Sequence, residues 1–269
     1  MWTQKIFGVK KPIIALLHLD PLPDDPGFCG DINQVLDHAA QDLQALQNGG
    51  ADGVLFANEF SLPYQPVADI ATISAMAYLI GALKNDITVP FGVNIVKNPI
   101  ATIDLGAAVG ASFARSCFSG AYMGEYGIYV SNNGEAIRRR KALGAQDMKL
   151  LFKVNPEADT YLVDRDIQVV AKSILFGGFA DGLCVSGAAA GKEPDDRNLQ
   201  RVYEAAAPNG VPVFCNTGCS HENVREKLRF CDGVCVGSAF KKDGVFNGRV
   251  DEERVRGFMR IVQDVRREE

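Results

Sequence analysis

Glu59, Arg115, Lys153 and His18 are the residues whose chemistry stands out, because each ends or directly follows a short apolar run. Asp20, Asn58, Asn94, Asn155, Ser186, Asn216 and Ser238 occupy the same kind of position. Glu59 suits the part of a general base or a metal ligand. Arg115 can clamp a phosphate or carboxylate with two parallel hydrogen bonds, or equally pair with Glu59 in a structural ion pair. Lys153 attacks a carbonyl carbon only where burial strips its proton, and is otherwise a solvated cation at a rim. His18 and Asp20 suit an acid–base or metal pair, with a hydrogen-bonded structural histidine as the plainer alternative. Asn94 suits the orientation of a hydroxyl or oxyanion.

Two glycine-bearing segments point to an anion. Asn216-Thr217-Gly218-Cys219-Ser220 leads into a helix expected to begin near His221, and Gly237-Ser238-Ala239-Phe240 closes the last apolar run. Glycine lets backbone N–H groups approach closely, hydroxyls add donors, and a helix start adds its positive end. The segment Ser186-Gly187-Ala188-Ala189-Ala190-Gly191-Lys192 reads as a hinged cover whose lysine reaches an anion, or as a plain flexible loop. Ser186, Gly187, Asn216, Thr217, Gly218, Gly237 and Ser238 are thus the expected phosphate-binding set. The plainer alternative is that these glycines only shape turns.

The elements that must position these groups alternate regularly. Apolar runs span 13–17, 53–57, 91–95, 112–115, 149–154, 182–186, 211–216 and 233–237. Their length and lack of alternation suit strands buried on both faces of a parallel sheet. Helical character fills 31–48, 67–83, 98–109, 134–143, 166–176, 197–207, 221–228 and 251–265. Punctuation such as Gly50-Ala51-Asp52-Gly53 and Phe179-Ala180-Asp181-Gly182 ends a helix and turns the chain into the next strand. Eight βα units in 269 residues predict an α/β fold of the (β/α)8 type (a TIM barrel), with one domain spanning 1–269. In that fold the carboxyl ends of the strands share one mouth, and phosphate commonly sits after the seventh and eighth. A doubly wound open sheet would want a GxGxxG loop after the first strand, where Leu17-His18-Leu19-Asp20-Pro21 stands instead. The longer connections, 19–30 and 116–133, are expected to be lid or oligomer elements.

Composition narrows the function classes. The net charge is −5, with charges mixed along the chain, which argues against a nucleic-acid partner. The one basic block, Arg138-Arg139-Arg140-Lys141, reads as a solvated helix face. No apolar stretch is long enough for membrane insertion. Met1-Trp2-Thr3-Gln4-Lys5 lacks a secretory apolar region, and seven cysteines fit a reducing compartment, so a cytoplasmic location is expected. The spacings Cys215-x3-Cys219 and Cys231-x3-Cys235 are not those of a zinc knuckle, so core packing is the better reading.

The chain also resembles the BtpA/SgcQ family. The resemblance lies in Leu17-His18-Leu19-Asp20-Pro21-Leu22-Pro23, Ala51-Asp52-Gly53-Val54 through Glu59, Gly92-Val93-Asn94 and Gly110-Ala111-Ser112-Phe113-Ala114-Arg115. It continues through Val185-Ser186-Gly187, Asp232-Gly233-Val234-Cys235-Val236-Gly237 and the tail from Phe240 to Asp251. The resemblance implies a ribulose-phosphate-binding type of barrel. It leaves two functions open: a cyanobacterial branch is linked to photosystem I accumulation, and enteric members sit among sugar-metabolism genes and are described as nucleosidase-like. Asn155-Pro156-Glu157-Ala158-Asp159 stands where many members carry a Lys-His pair, and Gly120–Gly127 replaces a shorter polar turn ending in Asp-Gln-Gly. The expected activity is an isomerase, lyase or nucleosidase-like hydrolase acting on a small phosphorylated metabolite of sugar or nucleoside type. It needs no organic cofactor, and a divalent metal held by His18, Asp20 and Glu59 stays open. A homo-oligomer is expected. The alternative is a non-catalytic biogenesis or stability factor that acts by binding protein.

Overall fold

A computed structural model describes residues 1–157, 159–189 and 191–268; Ala158, Ala190 and Glu269 lie outside the described residues. The expected cover over 186–192 is therefore described except at Ala190. The strands are, in chain order, β1 (Ile13–His18), β2 (Gly53–Ala57), β3 (Phe91–Asn94), β4 (Phe113–Ser116), β5 (Gly120–Gly124), β6 (Gly127–Ser131), β7 (Lys149–Lys153), β8 (Asp159–Tyr161), β9 (Gly182–Val185), β10 (Val213–Cys215) and β11 (Gly233–Val236). Eight of them, β1-β2-β3-β4-β7-β9-β10-β11, close a parallel barrel in that order. The helices are α1 (Trp2–Phe7), α2 (Ile32–Asn48), α3 (Ile70–Ala82), α4 (Pro99–Val109), α5 (Asn133–Ala142), α6 (Ile167–Phe176), α7 (Asp196–Ala206), α8 (Val224–Lys227) and α9 (Glu252–Arg267). Aspartates open several of them: the side chains of Asp31, Asp166, Asp195 and Asp251 accept amides of the first turn of α2, α6, α7 and α9. No described helix is long and apolar enough to cross a membrane.

The two-residue period of a strand sorts the barrel into faces. Ile14, Leu16, Leu55, Phe113, Leu151, Cys184, Phe214 and Cys235 form one buried interior cluster with Phe7 of α1. Residues one step off, among them Ile13, Val54, Ala114, Phe152 and Val234, join the larger cluster beneath the helices. Carried forward two residues at a time, the interior face reaches His18, Glu59, Asn94, Arg115, Lys153, Ser186, Asn216 and Gly237 at the carboxyl end. The opposite end is shut by α1, whose Phe7 ring lies 5.7 Å from that of Phe113.

The Ala-Asp-Gly punctuation does more than turn the chain. Asp52 accepts the amide of Ile13 at 2.8 Å, Asp181 that of Leu150 at 3.0 Å, and Asp232 that of Val213 at 2.9 Å. Each aspartate thus straps the start of the neighbouring strand and satisfies an amide that the parallel ladder leaves over.

Two expectations change, and one short helix is added. The 116–133 connection is not an irregular lid, because β5 and β6 form a hairpin to which β8 adds a third antiparallel strand. Alternation holds it in place: Tyr122 and Tyr129 stack at 4.9 Å on the buried face, while Met123, Ile128 and Val130 face outward. The helix expected from His221 shrinks to α8, four residues, preceded by turns at 221–223. Asn223 breaks its first turn by giving its side chain to Gly218 O and the Ser220 amide. Helix α1 has too few residues to show a period, and it owes its existence to packing on the barrel floor. The basic block lies on a solvated helix face as expected, with Arg138, Arg139 and Lys141 exposed, while Arg139 pairs with Asp104 and Arg140 with Asp181.

Candidate functional site

Arg115 is the centre of the mouth. Its guanidinium is buried and donates to Asn216 Oδ1 at 2.9 Å and to Asn94 Oδ1 at 3.1 Å, rather than forming the alternative structural ion pair with Glu59. Asn216 passes the connection on, donating to Glu157 Oε1 at 2.6 Å and to Ser186 Oγ at 2.9 Å. Ser186 Oγ donates to the same carboxylate oxygen at 3.1 Å, and Lys153 Nζ donates to Glu157 Oε2 at 2.7 Å. Five of the barrel strands and the loop after β7 therefore meet in one hydrogen-bonded layer. The structure corrects both readings of Lys153. It is neither a rim cation nor a free amine: burial works hardest against its charge, but Glu157, with Cys117 and Glu59 adding to it, more than offsets burial and Arg115 and holds it as an ammonium.

Two carboxyls in this mouth are pushed in opposite directions. Burial raises Glu59 above its ordinary range, against the pull of Lys153 and Arg115. Burial would raise Glu157 too, but Lys153 and Arg115 outweigh it and hold this carboxyl below its ordinary range. Glu59 is thus suited to carry and release a proton, and Glu157 to remain charged. Both line a cavity of about 220 Å³ whose wall also includes His18, Arg115, Asn216, Thr217, Gly218, Gly237, Ser238, His221 and Arg254. A second cavity of about 100 Å³ shares Glu59 and Glu157 and runs under the three-stranded sheet, where Asn94, Lys153, Tyr64, Tyr126 and Tyr129 line it. There Lys97 pairs with Asp159 at 2.9 Å and lies 5.0 Å from the rings of Tyr126 and Tyr129.

His18 and Asp20 do not meet. Asp20 accepts from Arg249 Nη1 at 2.9 Å and lies 2.5 Å from His38 Nδ1, in a network that ties α2 to the segment before α9. The reason is parity: two residues past His18 the chain has left the strand and no longer follows the interior face. His18 instead has Lys241 Nζ at 3.2 Å from its Nδ1, and burial together with Lys241 and Arg115 holds it neutral. Among the described residues, no three His, Cys, Asp or Glu side chains gather as a metal-binding group, so the His18–Asp20–Glu59 constellation is not assembled.

The glycines divide. Gly237 borders the cavity, and a methyl group there would stand 3.2 Å from His18 Cε1. Gly187 and Gly218 serve another end, because a methyl at either would strike the backbone of Lys192 and Glu193 within 2.1 Å. They let the loop after β9 lie on the loop after β10. Thr217 seals the contact by accepting from the Gly187 amide at 2.6 Å and donating to Lys192 O at 2.9 Å. The Gly187 amide and the Thr217 hydroxyl are thus engaged within the chain, and Lys192 is exposed outside the cavity wall. Gly187 and Gly218 thus shape this loop contact, and Gly218 also borders the cavity.

Four groups at the site escaped the sequence reading. Glu157 follows Lys153 by four residues past a strand end, a spacing that could have been noticed. Lys241, Arg254 and the tyrosine pair Tyr64–Tyr126, whose rings lie 5.2 Å apart, come from loops and a helix start that carry no strand parity. The cysteines behave as expected: Cys184, Cys215 and Cys235 are buried, and all seven are free thiols.

Residues 9–264 match the sequence profile of the BtpA family. The chain belongs to that family. It is 47% identical over 268 residues to the sgc region protein SgcQ of Escherichia coli strain K12, covering 99% of each chain. It is 30% identical over 261 residues to the photosystem I biogenesis protein BtpA of Synechocystis, covering 96% of this chain and 90% of the other. Among solved structures it resembles thiamine phosphate pyrophosphorylase from Pyrococcus furiosus, with a TM-score of 0.58, 14% identity and coverage of 98% and 99%. A structure described as native KDPGal gives a TM-score of 0.57, 17% identity and coverage of 94% and 95%. At such identity these likenesses establish a TIM-barrel fold of the kind used by sugar- and phosphate-metabolising enzymes, and nothing finer.

Proposed function

We propose that this chain is an enzyme acting on a small phosphorylated metabolite of sugar type, by acid–base chemistry in the mouth of the barrel. The observation that carries the reading is one cavity walled by two carboxyls of opposite proton affinity and by the side chains of His18 and Arg115, whose buried Nε2 and Nε have no partner among the described residues. A buried donor without an acceptor is costly, and a ligand oxygen would relieve it. In this reading Glu59 exchanges the proton, Glu157 holds Lys153 and Asn216 in register, and Arg115 with Asn94 and Asn216 orients oxygen atoms. Ser238 and Gly237 border the phosphate end, where Arg254 adds a cation. Isomerase, lyase and glycosidic-hydrolase steps all fit this set, and none needs an organic cofactor.

The test is thermal stability across inorganic phosphate, pentose and hexose phosphates, nucleotides and nucleosides, with and without divalent metal. A ligand at 100 times its Kd stabilises by about 2.7 kcal/mol. Stabilisation by sugar phosphates that disappears in Arg115→Met supports the reading, and a flat panel overturns it. A second reading, a factor that binds protein, draws on the identity to the photosystem I biogenesis protein and on the exposed apolar face of Met123, Ile128 and Val130. It requires that Ile128→Lys abolish partner capture while leaving ligand stabilisation intact.

A further inference from the structure

His18 sits in a cage that leaves it one free atom. Phe60 meets its ring edge-on at 5.6 Å and Phe246 lies at 5.5 Å. Lys241, itself buried, reaches the same cage: Nζ lies 4.5 Å from the Phe60 ring centroid, donates to Phe246 O at 2.6 Å and stands 3.2 Å from His18 Nδ1. An ammonium donates and cannot accept, so Nδ1 must present its lone pair and the ring proton must sit on Nε2. His18 Nε2 is buried and has no partner among the described residues. It lies on the cavity side, where Gly237 leaves just enough room: a methyl there would come within 3.5 Å of Nε2.

We propose that Lys241 is a positioning residue that locks His18 as its Nε2–H tautomer, making the imidazole a neutral hydrogen-bond donor to an acceptor oxygen of the ligand, whether a phosphate oxygen or a carbonyl on its way to an enolate. A neutral imidazole can polarise such an oxygen throughout the reaction without surrendering a proton to it. The charged groups facing the pair support the assignment. Lys241 and Arg115 both oppose a positive charge on His18. Burial lowers Lys241 to about 8, with Asp42, Glu59 and Asp20 opposing that fall and Arg249 adding to it, so that near neutral pH it is still mainly the ammonium the lock requires. The donor role rests on the ligand reading above; the tautomer does not.

The two are separated by ¹⁵N-histidine NMR on the full chain, with His18 assigned by its loss in His18→Gln, and by titration with inorganic phosphate and, separately, ribose 5-phosphate. The expected wild-type signal is a neutral ring with a lone pair on Nδ1 and a proton on Nε2, unchanged from about pH 5.5 to 7, where Lys241 is still mainly the ammonium. Lys241→Met should release it to a mixture of tautomers that titrates nearer the usual histidine range, and should weaken phosphate-type ligands by about tenfold or more. Lys241→Gln, which keeps an N–H donor, should restore the tautomer. An Nδ1–H or cationic His18 in the wild type overturns the lock outright, whether or not the variants fold. An unchanged tautomer in Lys241→Met also overturns it. A locked tautomer in a protein that binds neither probe keeps the positioning role and removes the donor role, because then the ligand reading has failed.

Discussion

The two ends of the barrel are built from the same interior positions and behave as opposites. At the amino end those positions hold Phe113, Phe214, Leu151 and Leu55, sealed by Phe7 of α1, and three aspartate straps tie β1 to β2, β7 to β9 and β10 to β11. At the carboxyl end, two residues further on, they hold His18, Asn94, Arg115, Lys153, Ser186 and Asn216, and the space above stays open as two adjoining cavities. One end packs its apolar groups and engages its strap carboxylates. The other keeps His18 Nε2 and Arg115 Nε buried with no partner among the described residues, and a carboxyl that burial has pushed up. The difference teaches that stability is concentrated at the closed end, while the open end holds groups in states that water would not permit.

Substitutions at each end should separate these roles. The largest effect is expected at the open end: Glu59→Gln should lower kcat/KM by about 100-fold or more for whichever sugar phosphate stabilises the protein, with little change in melting temperature. A loss confined to KM would show that Glu59 only binds. At the closed end, Phe113→Ala should cost about 3–5 kcal/mol in urea unfolding while leaving phosphate affinity unchanged. An equal loss of affinity would mean the two ends are coupled. Removing a strap by Asp181→Ala should cost about 1–3 kcal/mol, since it frees the Leu150 amide and the Arg140 guanidinium together, again without touching binding.

The smallest effect is the response of stability to pH. Glu59 lies above its ordinary 4.5, so the folded chain keeps a proton there that the unfolded chain releases. Its contribution is full below about 4.5 and is lost as pH rises through the raised value. Glu157 runs the other way. It is held below 4.5, so its contribution is full above that pH and is lost as pH falls through the lowered value. Melting curves from about pH 3 to 8 should lose their upper slope in Glu59→Gln and their acid slope in Glu157→Gln. A Glu59→Gln curve parallel to wild type would show that its carboxyl is not strained by burial.

Much of this was legible beforehand, and for an identifiable reason. Buried parallel strands repeat every two residues and end in polar groups, so counting forward from Ile14, Phe113 or Phe214 leads to His18, Arg115 and Asn216 without any knowledge of the fold's packing. Asp20 misled because that counting stops being valid once the chain leaves the strand. Glu157 and Lys241 were missed for the same reason, since a loop residue's direction depends on what it packs against. The hairpin of β5 and β6 is hidden in the sequence because its outward face is apolar, which masks the polar–apolar alternation of an exposed strand.

The amino-acid sequence by itself determined the number of βα units, which residues face the interior, and that the carboxyl mouth would be polar. These follow from local rules of period, capping and turn chemistry acting within a few residues. Only the tertiary structure decided which of those polar groups are charged, which are satisfied and which are left facing a cavity. Burial and the distance to the next charge set a proton's affinity, and Lys241 reaches His18 from 223 residues away along the chain. No local pattern encodes that separation.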